Sequence, residues 1–388
     1  MPRPRFSIVV PTRERHQTLA YAIQSVLSQD YPEFELIVQD NASSDDTWKV
    51  VRQHRSPKIK YQRSPYTLPM NENWEAALAL CEGEYVYFMG DDDALMPDGL
   101  RLASDILTRM PLEILTWQKY TYWWDSTLEP TYRGRLFLHL GCDFRKIDTR
   151  AALEAFYDWR VGFGVLPSVY TSLVRHDVID RAKSLTGGVY FPVGAPDVWT
   201  GILNCLAATD VGMFERGISL SGNSGASTGC AYFFRSKGED RRKAYLAEEG
   251  KTLEELTHPS LIPSVNLEIN HADHQLRARD MLFPNDPRLQ VRMPLVLAAM
   301  AANINRDPDS YEVTLSEINA LAQKHGVDIA ILNIPQRASS HRTAVQGPVL
   351  GPDHKIQTLA INCIEAGVHD CNQAARLAAA VLPTITIQ

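Results

Sequence analysis

Over its first 110 residues the chain alternates short apolar runs with stretches of helical spacing, and that alternation leaves few folds open. Runs at 6–10, 34–38, 58–62 and 84–89 read as strands. Between them Leu19, Ile23, Val26 and Leu27 recur at the spacing of a buried helix face. A second helix carrying Trp48, Val50 and Val51 is capped near Asp45, a third covers 73–81, and Pro97 opens a fourth that runs to about residue 110. Strands that are apolar along their whole length must be covered on both faces. Strand and helix in strict succession therefore predict an α/β, Rossmann-like, mostly parallel sheet sandwiched by helices. Ligands of such sheets sit beyond the carboxyl ends of the strands, so the residues just after each strand carry the functional information.

Farther along, strand candidates at 112–117 and 169–174 and a helix starting near Pro196 continue the pattern, until a glycine- and serine-rich stretch at 219–229 interrupts it. Beyond it, 241–256, 265–282, 289–304, 311–325 and 356–382 read as helices. The expected division is 1–229 as the α/β domain and 230–388 as a smaller, mostly α-helical region, a size suited to two cores in a chain of 388 residues.

Composition removes several classes of function. A formal charge of -7 offers no general attraction to polyanions, so nucleic acid is not expected as a partner. Cys81, Cys142, Cys205, Cys230, Cys363 and Cys371 show no Cys-x-x-Cys spacing, and they read as reduced thiols of a cytoplasmic protein. No apolar run approaches the roughly 20 residues that cross a bilayer. The start of the chain has no secretory pattern. Membrane contact is expected to be peripheral at most, at the inner face, with Arg3 and Arg5 as the basic residues near the terminus.

Three short stretches fall at the carboxyl ends of the expected strands: Pro11-Thr12-Arg13, Asp40-Asn41-Ala42-Ser43 and Gly90-Asp91-Asp92-Asp93. A carboxylate accepts hydrogen bonds only, which suits Asp40 to a base imide or a ribose hydroxyl. Three consecutive aspartates repel one another unless a cation neutralises them. Residues two apart on extended backbone face one side, so Asp91 and Asp93 can point together at one ion; which two of Asp91, Asp92 and Asp93 act stays open, with Asp93 the favoured metal ligand. Hard carboxylate oxygens select Mg2+ or Mn2+, which fills its shell with water and diphosphate.

Taken in order, residues 6–12, Gln39-Asp40-Asn41-Ala42-Ser43-Ser44-Asp45, Asn73-Trp74, Gly83-Glu84-Tyr85 and the triple aspartate followed by Pro97 resemble glycosyltransferase family 2. The similarity covers roughly the first 225 residues. It implies the GT-A nucleotide-sugar fold and an inverting transfer from a nucleotide-diphosphate donor, of uridine or thymidine type, to a glycan or lipid-linked acceptor. Pro11, Thr12, Arg13, Asp40, Asn41, Asn73, Asp91 and Asp92 would then contact the nucleotide, and Asp93 with Asp91 would hold Mn2+ or Mg2+. Two departures stand out. Glu14-Arg15 replaces the Asn-Arg frequent in the family, and Gly90 stands where many members carry an aspartate.

Inversion by a single displacement needs a base on the acceptor side, and Asp197 in Ala195-Pro196-Asp197 comes at about the right place in chain order. An acid in the first turn of a helix is equally a dipole partner. Trp117, Tyr120, Tyr122, Trp123 and Trp124 could form a sugar-stacking platform or belong to the core. His258, His271 and His274 could join a metal shell or pack a helix, and 221–229 could be a lid or a plain linker. The helical remainder is the candidate for shaping the acceptor site, docking a partner or building a homo-oligomer. The competing functional readings are a catalytically silent nucleotide-sugar-binding scaffold and a sugar-phosphate nucleotidyltransferase. The latter class carries a glycine-rich loop after its first strand, where this chain has Pro11-Thr12-Arg13-Glu14-Arg15.

Overall fold

The structure is a computed structural model that describes residues 4–339, 347–350, 356–383 and 385. Two compact units divide the chain. One comprises Met1–Thr149, Pro167–Gly225 and the described part of Ala344–Gln388, and the other Arg150–Leu166 and Ala226–Thr343.

The first unit opens with β1 (Phe6–Thr12), α1 (His16–Leu27), β2 (Phe34–Asp40), α2 (Thr47–Gln53), β3 (Ile59–Arg63), α3 (Met70–Leu78) and β4 (Tyr85–Phe88). It continues through the two-residue β5 (Ala94–Leu95), α4 (Gly99–Arg109), β6 (Ile114–Trp117), β7 (Tyr120–Trp123), β8 (Arg135–His139) and β9 (Phe144–Ile147). Helix α5 (Thr149–Tyr157) carries the chain into the second unit. It returns to the first as β10 (Ser172–Arg175), α6 (His176–Leu185), α7 (Pro196–Ala207), β11 (Val211–Phe214) and β12 (Ser219–Asn223).

Eight strands form one sheet in the order β3-β2-β1-β4-β10-β6-β11-β9. β10 and β9 run against the other six, so the sheet is mostly parallel, as the alternation implied. All seven residues of β2 are buried. Phe34, Leu36 and Val38 join Phe6, Ile8 and Val10 of β1 in a core closed by Leu19, Ile23 and Val26 of α1 and Leu102, Ile106 and Leu107 of α4. Each such side chain contributes about 1.5–3 kcal/mol by leaving water. Glu35 of β2 is satisfied at the other end of the strand from the site. It accepts from Ser7 Oγ at 2.6 Å and the Glu82 N–H at 2.7 Å, and pairs with Lys60 at 2.6 Å.

The second unit consists of α8 (Thr228–Phe233), α9 (Glu239–Glu249), α10 (Leu253–Leu256), α11 (Leu267–Leu282), α12 (Met293–Ala302) and α13 (Tyr311–His325), together with the part of α5 after Thr149. Its own core joins Ile269, Ala272 and Leu276 of α11 to Val296, Leu297 and Met300 of α12 and Ile318 and Leu321 of α13. The Asn266 side chain caps α11, accepting from the N–H groups of Glu268 and Ile269.

Several expectations are corrected. The helix expected over 356–382 is a strand, β14 (Ile356–Asn362), then α14 (Cys371–Val381), and both lie in the first unit with β13 (Gly347–Leu350). β14 pairs antiparallel with β8, and that distant edge decides the conformation of a short segment whose local spacing is ambiguous. A second sheet results, β13-β14-β8-β7-β12-β5, against which Ala374, Ala375 and Ala378 of α14 are buried. The start of the expected loop at 219–229 is β12, paired in parallel with β7. Helix α4 begins at Gly99 rather than Pro97, after a turn in which the Gly99 N–H donates to the Met96 carbonyl at 2.8 Å. Arg5 donates to Ser104 Oγ at 2.7 Å and Thr108 Oγ1 at 2.9 Å; Arg3 lies outside the described residues. All six cysteines are free thiols, and among the described residues no helix is long and apolar enough to cross a membrane.

His271 of α11, half-buried between Trp159 and Phe163, is pushed down to about 3 by burial, with His274 and Arg306 adding to the effect. The unfolded chain takes up the proton near pH 6.5 while the folded helical unit does not. Stability is therefore full above pH 6.5 and falls as pH drops toward 3, by at most about 1.4 kcal/mol per pH unit from this group. Urea titrations across that window should show the slope in the wild type and a flatter one in His271→Gln. Equal slopes would remove His271 as its source.

Candidate active site

Thr12, Asp40 and Arg63 end β1, β2 and β3, and the parallel register sets them side by side, Thr12 opposite Asp40 and Asp40 opposite Arg63. Asp40 is buried; its Oδ1 accepts from the Ser43 N–H at 2.8 Å and its Oδ2 from the Tyr61 hydroxyl at 2.7 Å. Burial and that hydrogen bond raise the Tyr61 hydroxyl well above its ordinary range, so it stays a donor. Ala42, in the left-handed region at φ 56, turns the chain after β2. Asn41 spends its side chain on Leu68, accepting from its N–H at 2.8 Å and donating to its carbonyl at 2.9 Å. Arg13 donates to the Asn41 carbonyl at 3.0 Å and to Thr67. Pro11 is half-buried inside β1. Asn73, on α3, is buried with its Oδ1 unpaired among the described residues.

Two residues, Met89 and Gly90, separate β4 from the acid cluster, and all three aspartates are nearly inaccessible. Residues 90–93 form a tight turn in which the Asp93 N–H donates to the Gly90 carbonyl at 3.2 Å. The extended backbone expected there is absent, and Asp91 and Asp93 are held by different partners. Asp91 accepts from Thr12 Oγ1 at 2.7 Å and pairs with Arg15 at 2.9 Å. Asp93 pairs with Lys119 at 2.8 Å and accepts from the N–H groups of Gly222 at 2.8 Å and Gly90 at 3.0 Å. Its Lys119 partner is also buried and lies 3.6 Å from the centre of the Tyr170 ring.

The carboxyl between them is differently placed. Asp92 accepts from the Ser224 hydroxyl at 2.6 Å through Oδ2, while Oδ1 lies beside Gly90. Burial pushes its pKa up to about 7; Arg15 opposes the rise, and Asp93 and Asp91 add to it. Arg15 is itself partly buried, and the desolvation disfavours its charge, but Asp91 and Asp92 outweigh that and hold it protonated. Two glycines make the turn fit. A Cβ at Gly222 would lie 1.8 Å from the Asp92 carbonyl oxygen, and one at Gly90 would lie 2.6 Å from the Tyr170 hydroxyl.

Trp74 stacks on Phe88 at 4.8 Å and meets Tyr170 at 6.1 Å and Phe191 at 5.6 Å, giving an aromatic wall beside the acid loop. Glu75 of α3 accepts from the N–H groups of Tyr190 and Phe191, fixing the segment that leads to α7. Asp197 is half-buried in the first turn of α7, with its Oδ1 accepting from the Val198 N–H at 2.9 Å.

The aromatic platform does not form. Trp117, Tyr120, Tyr122 and Trp124 are buried, and Trp123 packs on Tyr132 at 4.6 Å. His258 pairs with Asp280, His274 bonds the Asn270 carbonyl, and no group of three or more metal-ligating side chains is gathered among the described residues. The 221–229 lid is replaced at its start by β12, held against the acid turn through Gly222 and Ser224. Lys119, Tyr170, Ser224, Tyr61 and Arg63 escaped the sequence reading. Lys119 and Arg63 lie at or just past the ends of β6 and β3, where the strand-end rule could have found them.

Strand ends that converge on a buried acid turn, in a mostly parallel sheet covered by helices, define a GT-A-type α/β domain. Residues 7–138 match the family model described as glycosyl transferase family 2, and the N-terminal part of the chain is a domain of that family. A GalNAc(5)-diNAcBac-PP-undecaprenol beta-1,3-glucosyltransferase of Campylobacter jejuni is 40% identical over 100 residues, 25% of this chain and 32% of that one. The abequosyltransferase RfbV of Salmonella typhimurium is 30% identical over 106 residues, 26% of this chain and 32% of that one. The match thus spans about a third of these relatives' length. Among solved structures, S. aureus TarS 1-349 in complex with UDP-GlcNAc is 18% identical, with 87% of this chain and 98% of that one aligned at a TM-score of 0.47.

Removing Lys119 would leave Asp93 buried and uncompensated. Lys119→Met should lower stability by about 3–5 kcal/mol in chemical denaturation, and adding Asp93→Asn should recover much of the loss. A single variant as stable as the wild type would show that the pair does not balance the turn.

Proposed function

We propose that the chain is a non-processive, inverting glycosyltransferase that moves a sugar from a uridine or thymidine diphosphate donor to a hydroxyl of a glycan or lipid-linked acceptor. One observation carries the reading: Thr12, Asp40 and the acid turn, far apart in sequence, meet at the carboxyl ends of β1, β2 and β4, with Thr12 bonded directly to Asp91. The family of the N-terminal domain supports the reaction class. The undecaprenol-linked substrate in the Campylobacter relative's name supports a lipid-linked acceptor.

In this reading the Asp40 rim, with Tyr61 and Arg63, receives the base and ribose, while Arg13 and Asn41 hold the neighbouring loop. Asp92 suits a divalent cation better than Asp93 or Asp91 does. It has an oxygen facing Gly90, and its desolvated carboxyl, raised to about 7 beside two other acids, is the one whose charge a cation would relieve. Bound Mn2+ or Mg2+ would stabilise negative charge on the departing diphosphate. Asp197 would accept the proton of the acceptor hydroxyl.

Thermal unfolding with uridine or thymidine diphosphate should show stabilisation that needs Mn2+, about 2.7 kcal/mol at a hundredfold excess over Kd. Asp92→Asn should lose the metal-dependent part. Equal stabilisation after chelation would end the metal assignment, and nucleotide binding without any donor turnover would favour a scaffold. Asp197→Asn should lower kcat by roughly 100- to 10,000-fold with nucleotide binding intact; an unchanged kcat would leave Asp197 as a first-turn helix acid.

A further inference from the structure

We infer that α2 and the turn after it form a docking face for an anionic phospholipid surface. Thr47 and Val51 point α2 inward, leaving Trp48, Lys49, Arg52 and Gln53 on its outer side. Arg55 follows in the left-handed region at φ 38 and joins the same face. These five side chains line an open depression of about 610 Å³.

Its charge runs against that of the molecule. The chain carries a formal charge of -7, yet Arg52 and Arg55 have no carboxylate partner among the described residues. Lys49 pairs with Asp46 at 2.7 Å, the acid on this turn of helix. Trp48 is 41% exposed, with the Arg52 guanidinium 5.8 Å and the Lys49 ammonium 5.9 Å from its ring. A large indole left out of the core and ringed by cations is amphipathic in the way that suits the boundary between headgroups and acyl chains.

The geometry selects a surface over a small ligand. A soluble phosphate needs donors that converge from fixed, partly buried positions, whereas Lys49, Arg52 and Arg55 are exposed on flexible stems. A fluid layer of anionic headgroups adapts to such cations, each adding about a fivefold gain in affinity, and the binding is weakened by salt. Binding of this kind is reversible, and it requires neither the donor nor the acid turn.

The test is flotation of the full chain with vesicles of phosphatidylcholine plus phosphatidylglycerol, against vesicles of phosphatidylcholine alone. Wild type should float with the anionic vesicles only, and less as salt rises. Arg52→Glu with Arg55→Glu should weaken binding by at least about 25-fold, and Trp48→Ala should weaken it while leaving the salt dependence in place. Arg52→Gln with Arg55→Gln serves if the double glutamate variant fails to fold, judged by its melting curve. Equal binding to neutral vesicles, unchanged binding by the folded double variant, or full displacement by inorganic phosphate at matched ionic strength would each overturn the assignment.

Discussion

Three adjacent carboxyls cannot be sealed at the end of a strand without fixed countercharge, and the ion pairs of Asp91 with Arg15 and Asp93 with Lys119 supply it. A unit pair about 4 Å apart at a partly screened site gains about 4 kcal/mol, much of it offset by the cost of dehydrating both partners. The net gain matters less than the geometry it imposes. Arg15 follows β1, Lys119 follows β6, and Gly222 and Ser224 come from β12 and its end, so one turn after β4 ties together segments from four parts of the sequence. A change in any of them is transmitted to the same three carboxyls.

Both departures from the family pattern have a structural counterpart. Glu14 sits in the left-handed region at φ 54, and its carboxylate accepts from the N–H groups of Ser44 at 2.6 Å and Asp45 at 3.2 Å. It therefore clamps the loop after β2 and leaves Arg15 to meet Asp91. Gly90 is constrained by its neighbours, since the Tyr170 hydroxyl and Asp92 fill the space a side chain would need. Tyr170 and Gly90 thus form a matched pair, and restoring an aspartate at 90 would require Tyr170 to move.

What the sequence disclosed was local. Apolar runs with helical spacing between them located β1 to β4 and their helices, and the strand-end rule pointed at Thr12, Asp40 and the triple aspartate. What it concealed depended on pairing across distance. Residues 356–362 become a strand because β8 offers an edge, and 219–223 because β7 does. Trp117, Tyr120 and Tyr122 could be read as platform or as core because aromatic content carries no sign of direction; packing turned them inward. The sequence reading set Asp91 and Asp93 on extended backbone, and there the Asp93 N–H donates to the Gly90 carbonyl and makes a turn instead.

That turn also decides how charge is shared within the proposed reaction. Both oxygens of Asp91 and both of Asp93 already accept from protein donors, and the two cations nearest the turn are spent on them. Arg13 and Arg63 are occupied too, donating to the carbonyls of Asn41 and Ser43 at the base-side rim. A diphosphate arriving at the acid turn would therefore meet buried carboxyls and no uncommitted cation among these four. Its charge would have to be met by an ion brought with it or by breaking a buried pair. The second course would leave an aspartate unpaired at the centre of the site, so the arrangement favours a divalent ion carried at Asp92.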